Sequence, residues 1–448
     1  RYAIVYGFFR ESASKWHVAT DATDVWQIVV YLAKKQYLCP LYETAYRDMG
    51  LFALVFPLLA LDTDYRLSFR AGAIMPDGKV DDMLGLKGQW VGPSMGGEFA
   101  VAFRPDWRAL HDWNNASLGV ALGYWYLGNQ TLLGSAVTPY AFMDIPLVRL
   151  PHFVLGLRPG IGVAFVTKTY RNTIPKEHLF QDLNNANKSI GSVFNFYFPE
   201  AFYMEFPIRH GWSIPVSAGW YHISNGSMVQ PNSGYNLFAG DIGVRYTPSA
   251  QVRPAIPAQT ILKKRWELEF AFAAGGRQVY YRDRQTFFAC ELQLAAYWRA
   301  HQIFRLGGGV DVFYDGAYIR RDTRFDKTNL AAARTSGADC WRLGVSLQPE
   351  FVIGAFTAGF HFGVYLLDPV KNLEPADEAR QTESGRLNKG IFYSYNLLRA
   401  GSAGYPDGWL YTQIALRYRL PWHLFIQGTM KAHLTKVEFV SLGLGVWL

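Results

Sequence analysis

The chain has 448 residues, a formal net charge of +8 at pH 7, 16% aromatic residues and only 18% charged residues. Soluble proteins usually carry about 25% charged residues, so this composition indicates a large surface that is not in water. No uninterrupted apolar run reaches the roughly 18 residues of a membrane-spanning helix, which argues against a helical membrane protein. The mild basic excess suits an anionic partner, but no basic cluster with interleaved aromatic residues is present, and we expect no nucleic-acid partner.

The first 61 residues differ from the rest of the chain. Residues 1–48 show no sustained period, and we interpret them as an upstream or non-native extension. The apolar run from Met49 to Leu61 has the length of the hydrophobic part of a signal peptide, and Arg47 precedes it. The sequence therefore predicts that an export signal begins near Met49 and that 49–61 is its hydrophobic part.

From Tyr65 onward, apolar and polar residues alternate with a period of two, as in strands that have two different faces. The segments Tyr65–Ala73 and Trp266–Phe272 are examples. Aromatic residues lie at the ends of many such runs, where membrane β-barrels have their aromatic girdles. Because lipid cannot satisfy backbone N–H and C=O groups, the structure that fits this pattern in a membrane is a closed barrel.

Counting these runs gives about sixteen strands, an even number typical of bacterial outer-membrane barrels. Their starts fall near 65, 96, 117, 132, 152, 190, 211, 234, 265, 285, 301, 339, 355, 410, 422 and 437. We predict one all-β transmembrane antiparallel barrel of about 16 strands, in which 65–247 form one half and 263–448 complete it. A Pro-containing linker, Thr247–Leu262, divides the strands into two groups, so an 8-stranded barrel followed by a second 8-stranded unit is the alternative.

The connections between these runs differ in length. Those at 209–210, 354–355 and 421–422 are tight, whereas 167–189, 314–337 and 369–408 are long. In outer-membrane barrels the tight turns face the periplasm and the long loops face outward. On that basis the loop 224–233 is predicted to be extracellular.

The segment Gly211–Tyr246 contains the polar residues with the clearest chemical potential. It is predicted to be a hairpin, and side chains two residues apart on a strand share a face. His222 and Ser224 share the face of Trp212 and of other apolar residues, which predicts that they point toward lipid. Asn236 lies on the lipid face of the returning strand, and a symmetric hairpin places it across from His222.

Polar groups against hydrocarbon are costly unless they are partnered, so this cluster calls for a function. A Ser–His pair whose ring is oriented by a third group is the arrangement of an activated nucleophile. We interpret Ser224 as the nucleophile that attacks an ester carbonyl, His222 as its base and Asn236 as the group that fixes the tautomer of His222. Asn225, or the backbone N–H groups at Gly226 and Ser227, are the candidates for stabilising the oxyanion. The alternative is that Ser-Asn-Gly merely begins a loop, since these are ordinary turn residues.

The run His222-x-Ser224-Asn225, followed by Pro231-Asn232-x-Gly234 and the strand from Asn236, resembles the active-site hairpin of the lipid A 3-O-deacylase (PagL-type, acyloxyacyl hydrolase) outer-membrane barrels. Three upstream segments, Ser117–Tyr124, Pro159–Gly162 and Ile190–Ser192, resemble the longer, Bacteroidetes-like members. The resemblance covers roughly 90–247 and is weaker toward the C-terminus.

The resemblance implies a serine esterase in the outer membrane of a Gram-negative bacterium, acting on the ester-linked acyl chain at the 3-position of lipid A. Its partners would be lipopolysaccharide and outer-membrane lipid. Ser224 and His222 match the family's nucleophile and base, but Asn236 stands where the family has an acid. An amide can orient imidazole but offers no negative charge to imidazolium. Slower turnover or loss of activity is a consequence to test.

No metal or cofactor is predicted. Cys39, Cys290 and Cys340 are odd in number and widely spaced, and Asp311, Asp315 and Asp322 lack the spacing of a Ca²⁺ loop. The second functional hypothesis is a non-catalytic outer-membrane channel or structural barrel. It draws on the strand number, because sixteen strands in one barrel would leave a wide lumen.

Overall fold

The computed structural model describes residues 63–77, 80–105, 107–174, 186–248, 265–278, 285–318, 337–367, 410–433 and 436–448. The predicted extension at 1–48 and the predicted export segment at 49–61 lie outside these ranges. None of the described helices is long and apolar enough to cross a membrane.

Sixteen antiparallel strands make up the described fold, and each begins within five residues of its predicted start. The largest difference is at the second strand, predicted near 96 and observed from 91. The strands are β1 (Thr63–Ile74), β2 (Val91–Phe103), β3 (Ser117–Tyr126), β4 (Ser135–Arg149), β5 (Val154–Val166), β6 (Phe194–Pro207), β7 (Trp212–Ser224), β8 (Tyr235–Tyr246), β9 (Arg265–Arg277), β10 (Phe287–Arg299), β11 (Phe304–Asp315), β12 (Trp341–Ile353), β13 (Phe356–Leu367), β14 (Leu410–Arg419), β15 (Leu424–His433) and β16 (Lys436–Trp447).

The strands close into two barrels, one of β1–β8 and one of β9–β16. β1 pairs with β8, with Tyr65 opposite Tyr246, and β16 pairs with β9. The preference for one 16-stranded barrel, with 263–448 completing it, is therefore wrong, and the alternative of two 8-stranded units is confirmed. A period of two shows which face of a strand is apolar but not which partner takes each edge. Here β1 pairs with the edge of β8, so the first barrel closes with strands that all precede the linker.

Short helices lie in the connections: α1 (Val80–Met83), α2 (Arg108–Asp112) and α3 (Tyr170–Thr173), with 3₁₀ turns at Gly316–Tyr318 and Gly337–Cys340. In the first barrel, four connections (75–90, 127–134, 167–193 and 225–234) lie at one end, which we call the long-loop end. The other three connections, 104–116, 150–153 and 208–211, lie at the opposite, short-turn end. This arrangement places the 225–234 loop at the long-loop end.

Each strand has one apolar outer face and one inner face with buried polar residues. In β1, Leu67 and Phe69 are exposed whereas Arg66 and Arg70 are buried. Buried charges are costly without partners, and inside both barrels many of them form ion pairs. The first barrel contains the pairs Arg70–Glu98, Arg158–Asp144 and Arg245–Asp64; the second contains Arg305–Glu269, Arg417–Glu350 and Lys431–Glu438. These side chains fill the lumens, and the wide lumen expected of a single 16-stranded barrel is absent from the described barrels.

Candidate active site

The β7–β8 hairpin brings the predicted polar residues together. His222 is paired across the strands with Asn236, as the symmetric hairpin predicted. On the other side of β7, His222 faces Phe198 and Ser224 faces Phe196, both on β6. His222 and Asn236 are half-buried on the outer face, which also carries the exposed Trp212 and Phe238. His222 and Asn236 therefore lie on the outer face of the barrel, the face that the residue alternation predicted.

Two short hydrogen bonds connect these three side chains. His222 Nε2 lies 2.8 Å from Ser224 Oγ, and His222 Nδ1 lies 2.8 Å from Asn236 Oδ1. An amide oxygen only accepts hydrogen bonds, so His222 Nδ1 carries the proton and donates a hydrogen bond to Asn236 Oδ1. The neutral ring then leaves Nε2 as an acceptor for the Ser224 hydroxyl. This is the tautomer that a histidine needs in order to take a proton from serine.

A tryptophan that sequence reasoning passed over supports the amide. Trp220 Nε1 donates to Asn236 Oδ1 at 3.2 Å, so two N–H donors fix the oxygen of the amide toward the histidine. The Trp220 ring also stacks near the imidazole, with centroids 5.4 Å apart, and Phe198 flanks it at 6.4 Å. The signal was present in the sequence, because Trp220 shares the strand face of His222 and stands two residues before it.

Ser224 is more enclosed than its strand face predicts, since only 2% of it is exposed. Gly234, at the end of the loop, packs against the site. A Cβ on Gly234 would lie 3.1 Å from His222 Cε1, 3.1 Å from Ser224 Cβ and 2.7 Å from the Ile223 carbonyl oxygen. Its backbone φ of +75° also favours glycine. The loop that leads back to β8 thus shields the Ser224 hydroxyl. The alternation of residues along the strand could not predict this shielding.

The three predicted oxyanion residues have different environments. Asn225 is fully engaged: Nδ2 donates to Ser192 Oγ and the Val229 carbonyl, and its N–H donates to Asn232 Oδ1. These donors hold the loop in shape. By contrast, the backbone N–H groups of Gly226 and Ser227 find no acceptor among the described residues. These two N–H groups therefore differ from Asn225, whose donors all form hydrogen bonds.

The β5–β6 connection braces this loop from the side. The Ser189 carbonyl accepts the N–H groups of Ser233 and Gly234 at 3.0 and 3.1 Å, and Ile190 forms a bridge with Asn232. Asn187 Nδ2 donates to the Tyr235 hydroxyl at 2.7 Å. These contacts join residues that are far apart in sequence, so the short motif around Ser224 does not predict them.

Among the described residues, no group of three or more His, Cys, Asp or Glu side chains is placed to hold a metal ion.

Two family models match this chain. The lipid A 3-O-deacylase (PagL) model matches residues 95–245, and the model of the acyloxyacyl hydrolase C-terminal domain matches residues 266–376. Together they span more than half of the sequence. The chain belongs to the lipid A 3-O-deacylase family. It is accordingly an ester hydrolase of the Gram-negative outer membrane, and the resemblance predicted over roughly 90–247 is confirmed.

Solved structures that match this chain do so at low sequence identity and with low TM-scores. Neisserial surface protein A is 11% identical, with a TM-score of 0.25, covering 42% of this chain and 97% of its own. The outer-membrane enzyme PagL is 17% identical, with a TM-score of 0.24 and coverage of 40% and 97%. A triple mutant of Rhodopseudomonas blastica porin is 8% identical, with a TM-score of 0.16 and coverage of 86% and 100%. No curated protein matches the chain.

Proposed function

We propose that this family member removes the ester-linked acyl chain at the 3-position of lipid A, with Ser224 as the nucleophile. The observation that carries the proposal is the chain of two 2.8 Å hydrogen bonds from Ser224 through His222 to Asn236. The arrangement lies on the outer face of a membrane barrel, where a lipid substrate can reach it sideways from the bilayer. Lipopolysaccharide is the lipid that the family assignment indicates.

The geometry supports a two-step acyl transfer. In the first step, His222 Nε2 takes the Ser224 proton while Oγ bonds to the ester carbonyl carbon. The N–H groups of Gly226 and Ser227 are proposed to stabilise the resulting oxyanion. The C–O bond to the sugar then breaks, and the leaving oxygen takes the proton from His222. Water, activated by His222, hydrolyses the acyl-serine and restores the free hydroxyl.

Asn236 holds His222 in the reactive tautomer throughout this sequence. It replaces the acid of the family pattern, so it orients the ring but does not balance the charge of the imidazolium. Trp220 helps by keeping the amide oxygen turned toward Nδ1. We propose that the site is built for correct geometry with a weaker electrostatic contribution than an acidic third member would give.

The long-loop end carries the site, and long loops of outer-membrane barrels face the cell exterior. We therefore propose that the reaction takes place in the outer leaflet, at the extracellular rim of the first barrel. The alternative of a passive channel is disfavoured by the buried ion pairs that fill both lumens, such as Arg70–Glu98 and Arg417–Glu350.

Mass spectrometry of lipid A from an outer membrane that contains the protein tests the proposal. The expected result is the loss of one hydroxyacyl chain, which disappears with Ser224→Ala. Ser217→Ala is the matched control, because this serine lies on the same strand but its Oγ contacts Asp241 inside the barrel. Unchanged lipid A with the well-folded wild type would refute the activity.

A further inference from the structure

The loop that follows Ser224 is held by the second barrel. Ser227 Oγ donates to the Val437 carbonyl at 2.6 Å, and the Gln278 N–H donates to the Ser227 carbonyl at 2.9 Å. Gln230 also binds Gln278 twice: its N–H donates to Oε1 at 3.1 Å, and its Nε2 donates to the Gln278 carbonyl at 3.3 Å. Four hydrogen bonds thus connect two loop residues of one barrel, Ser227 and Gln230, to Gln278 and Val437 of the other.

These contacts hold the loop segment that contains the N–H groups of Gly226 and Ser227. Gly226 and Ser227 both have a left-handed backbone, each with φ of +65°. A residue with a side chain adopts this conformation only where its surroundings enforce it, and such residues concentrate at functional sites. For Ser227, both the hydroxyl and the carbonyl are fixed by the second barrel.

Packing adds to the hydrogen bonds. Val440 of β16 lies so close to Gly226 that a Cβ there would be 2.3 Å from Val440 Cγ2. The same position is 3.5 Å from Phe196, the residue paired with Ser224. The backbone beside the nucleophile is therefore enclosed between the two barrels.

The barrels also touch at the short-turn end of the first barrel, which is the end opposite the site. Trp113 Nε1 donates to the Val352 carbonyl at 3.0 Å, and the Trp113 ring meets Phe351 edge-on at 5.7 Å. This second contact holds the barrels together without involving the catalytic loop. It therefore provides an internal control.

We propose that the second barrel completes the active site of the first, with Gln278 as a positioning residue that holds the Gly226 and Ser227 N–H groups in place for the oxyanion. The inference rests on the proposed function. Gln278 acts through Ser227 and Gln230 and does not touch the reacting atoms. Misplacing an oxyanion donor lowers kcat, whereas substrate binding before the reaction does not depend on that donor.

The test compares kcat and KM of the full-length protein for lipid A in mixed micelles. Gln278→Leu removes the acceptor of the Gln230 N–H with little change in size, and we expect kcat to fall about 10-fold to 100-fold with KM nearly unchanged. Gln278→Glu keeps an acceptor oxygen at the same place and is expected to restore most of kcat. Trp113→Phe removes the hydrogen bond at the other contact and is expected to leave both constants unchanged.

The outcomes separate this inference from the proposed function. An active wild type, an inactive Ser224→Ala variant and full kcat in Gln278→Leu would overturn the positioning role and leave the esterase proposal standing. An equal loss in Gln278→Leu and Trp113→Phe would mean that barrel docking alone matters, and would also overturn it. A wild type with no activity on lipid A would overturn both.

Discussion

The two barrels share a construction but differ on their outer faces. Both have eight antiparallel strands and an interior filled with paired charges. The first barrel, however, has a ten-residue loop at 225–234 between its last two strands, with His222, Ser224 and Asn236 beside it. In the second barrel, β15 ends at His433 and β16 begins at Lys436, which leaves no room for a comparable loop.

This difference distinguishes the residues that stabilise the fold from the residues that are proposed to carry out the reaction. Inside both barrels, pairs such as Arg70–Glu98 and Arg417–Glu350 are buried, so their role is to satisfy charges that could not otherwise be buried. On the outer face of the first barrel, the three polar groups satisfy one another while keeping a hydroxyl next to a neutral imidazole. Substitutions in the lumens should therefore change the free energy of unfolding, and substitutions at the rim should change the rate.

The largest effect on activity is expected from His222→Ala. Without the base, the Ser224 hydroxyl stays protonated, and kcat/KM for lipid A should fall by at least about 10³-fold. The matched control is His152→Ala, an exposed histidine at the short-turn end of the same barrel. The measurement is kcat/KM for lipid A in mixed micelles. A loss of less than tenfold would show that His222 is not the base.

The lumen of the second barrel should show the opposite behaviour. Glu350 accepts from Arg305 Nε at 2.8 Å and meets Arg417 and His361, all buried. Glu350→Gln removes one negative charge from beside the buried Arg305 and Arg417 and should lower the free energy of unfolding by about 3–5 kcal/mol. Urea unfolding followed by tryptophan fluorescence measures the change, while kcat of the folded protein stays at the wild-type value. Unaltered unfolding with reduced kcat would reverse the division between lumen and rim.

Gly234→Ala probes the packing against the nucleophile. The new methyl group would press on His222, Ser224 and the Ile223 carbonyl, and a displacement of the reacting groups by about 1 Å costs roughly 10²-fold in rate. Gly85→Ala is the control, since Gly85 has a similar φ of +74° but no atom within 4 Å of the added position. If both variants lost activity equally, backbone strain rather than contact with the site would be responsible.

The smallest of these effects concerns the amide. Asn236→Glu places a carboxylate against His222 Nδ1, where it can stabilise the imidazolium, and we expect kcat to rise about tenfold. Single-turnover kinetics on lipid A would show the change in the chemical step. An unchanged rate would mean that orientation of the ring is sufficient in this chain.

Much of this molecule follows from the alternation of residues along the strands. The strand starts, the outward face of His222 and Asn236, and their cross-strand pairing all come from a period of two and a single hairpin. The site motif was readable because its members lie within 15 residues of one another, from His222 to Asn236.

Other features depend on contacts that local sequence does not encode. Closure of β8 onto β1 is a choice between edges, and alternation treats both choices alike. The enclosure of Ser224 by Gly234 depends on how the loop returns, and the use of Asn225 as a loop brace depends on Ser192 in another connection. The hydrogen bonds of Gln278 with Ser227 and Gln230 connect two barrels, and the residue pattern of either barrel does not predict them.

The central claim is that Ser224, on the membrane side of the first barrel, is the nucleophile. A lipid-soluble fluorophosphonate tests it directly, because this reagent forms a covalent bond with an activated serine hydroxyl. Peptide mass mapping of the labelled wild type should place the phosphonate on Ser224, and labelling should be lost in Ser224→Ala and strongly reduced in His222→Ala. Label on a different residue, or none on Ser224 in protein that deacylates lipid A, would contradict this account.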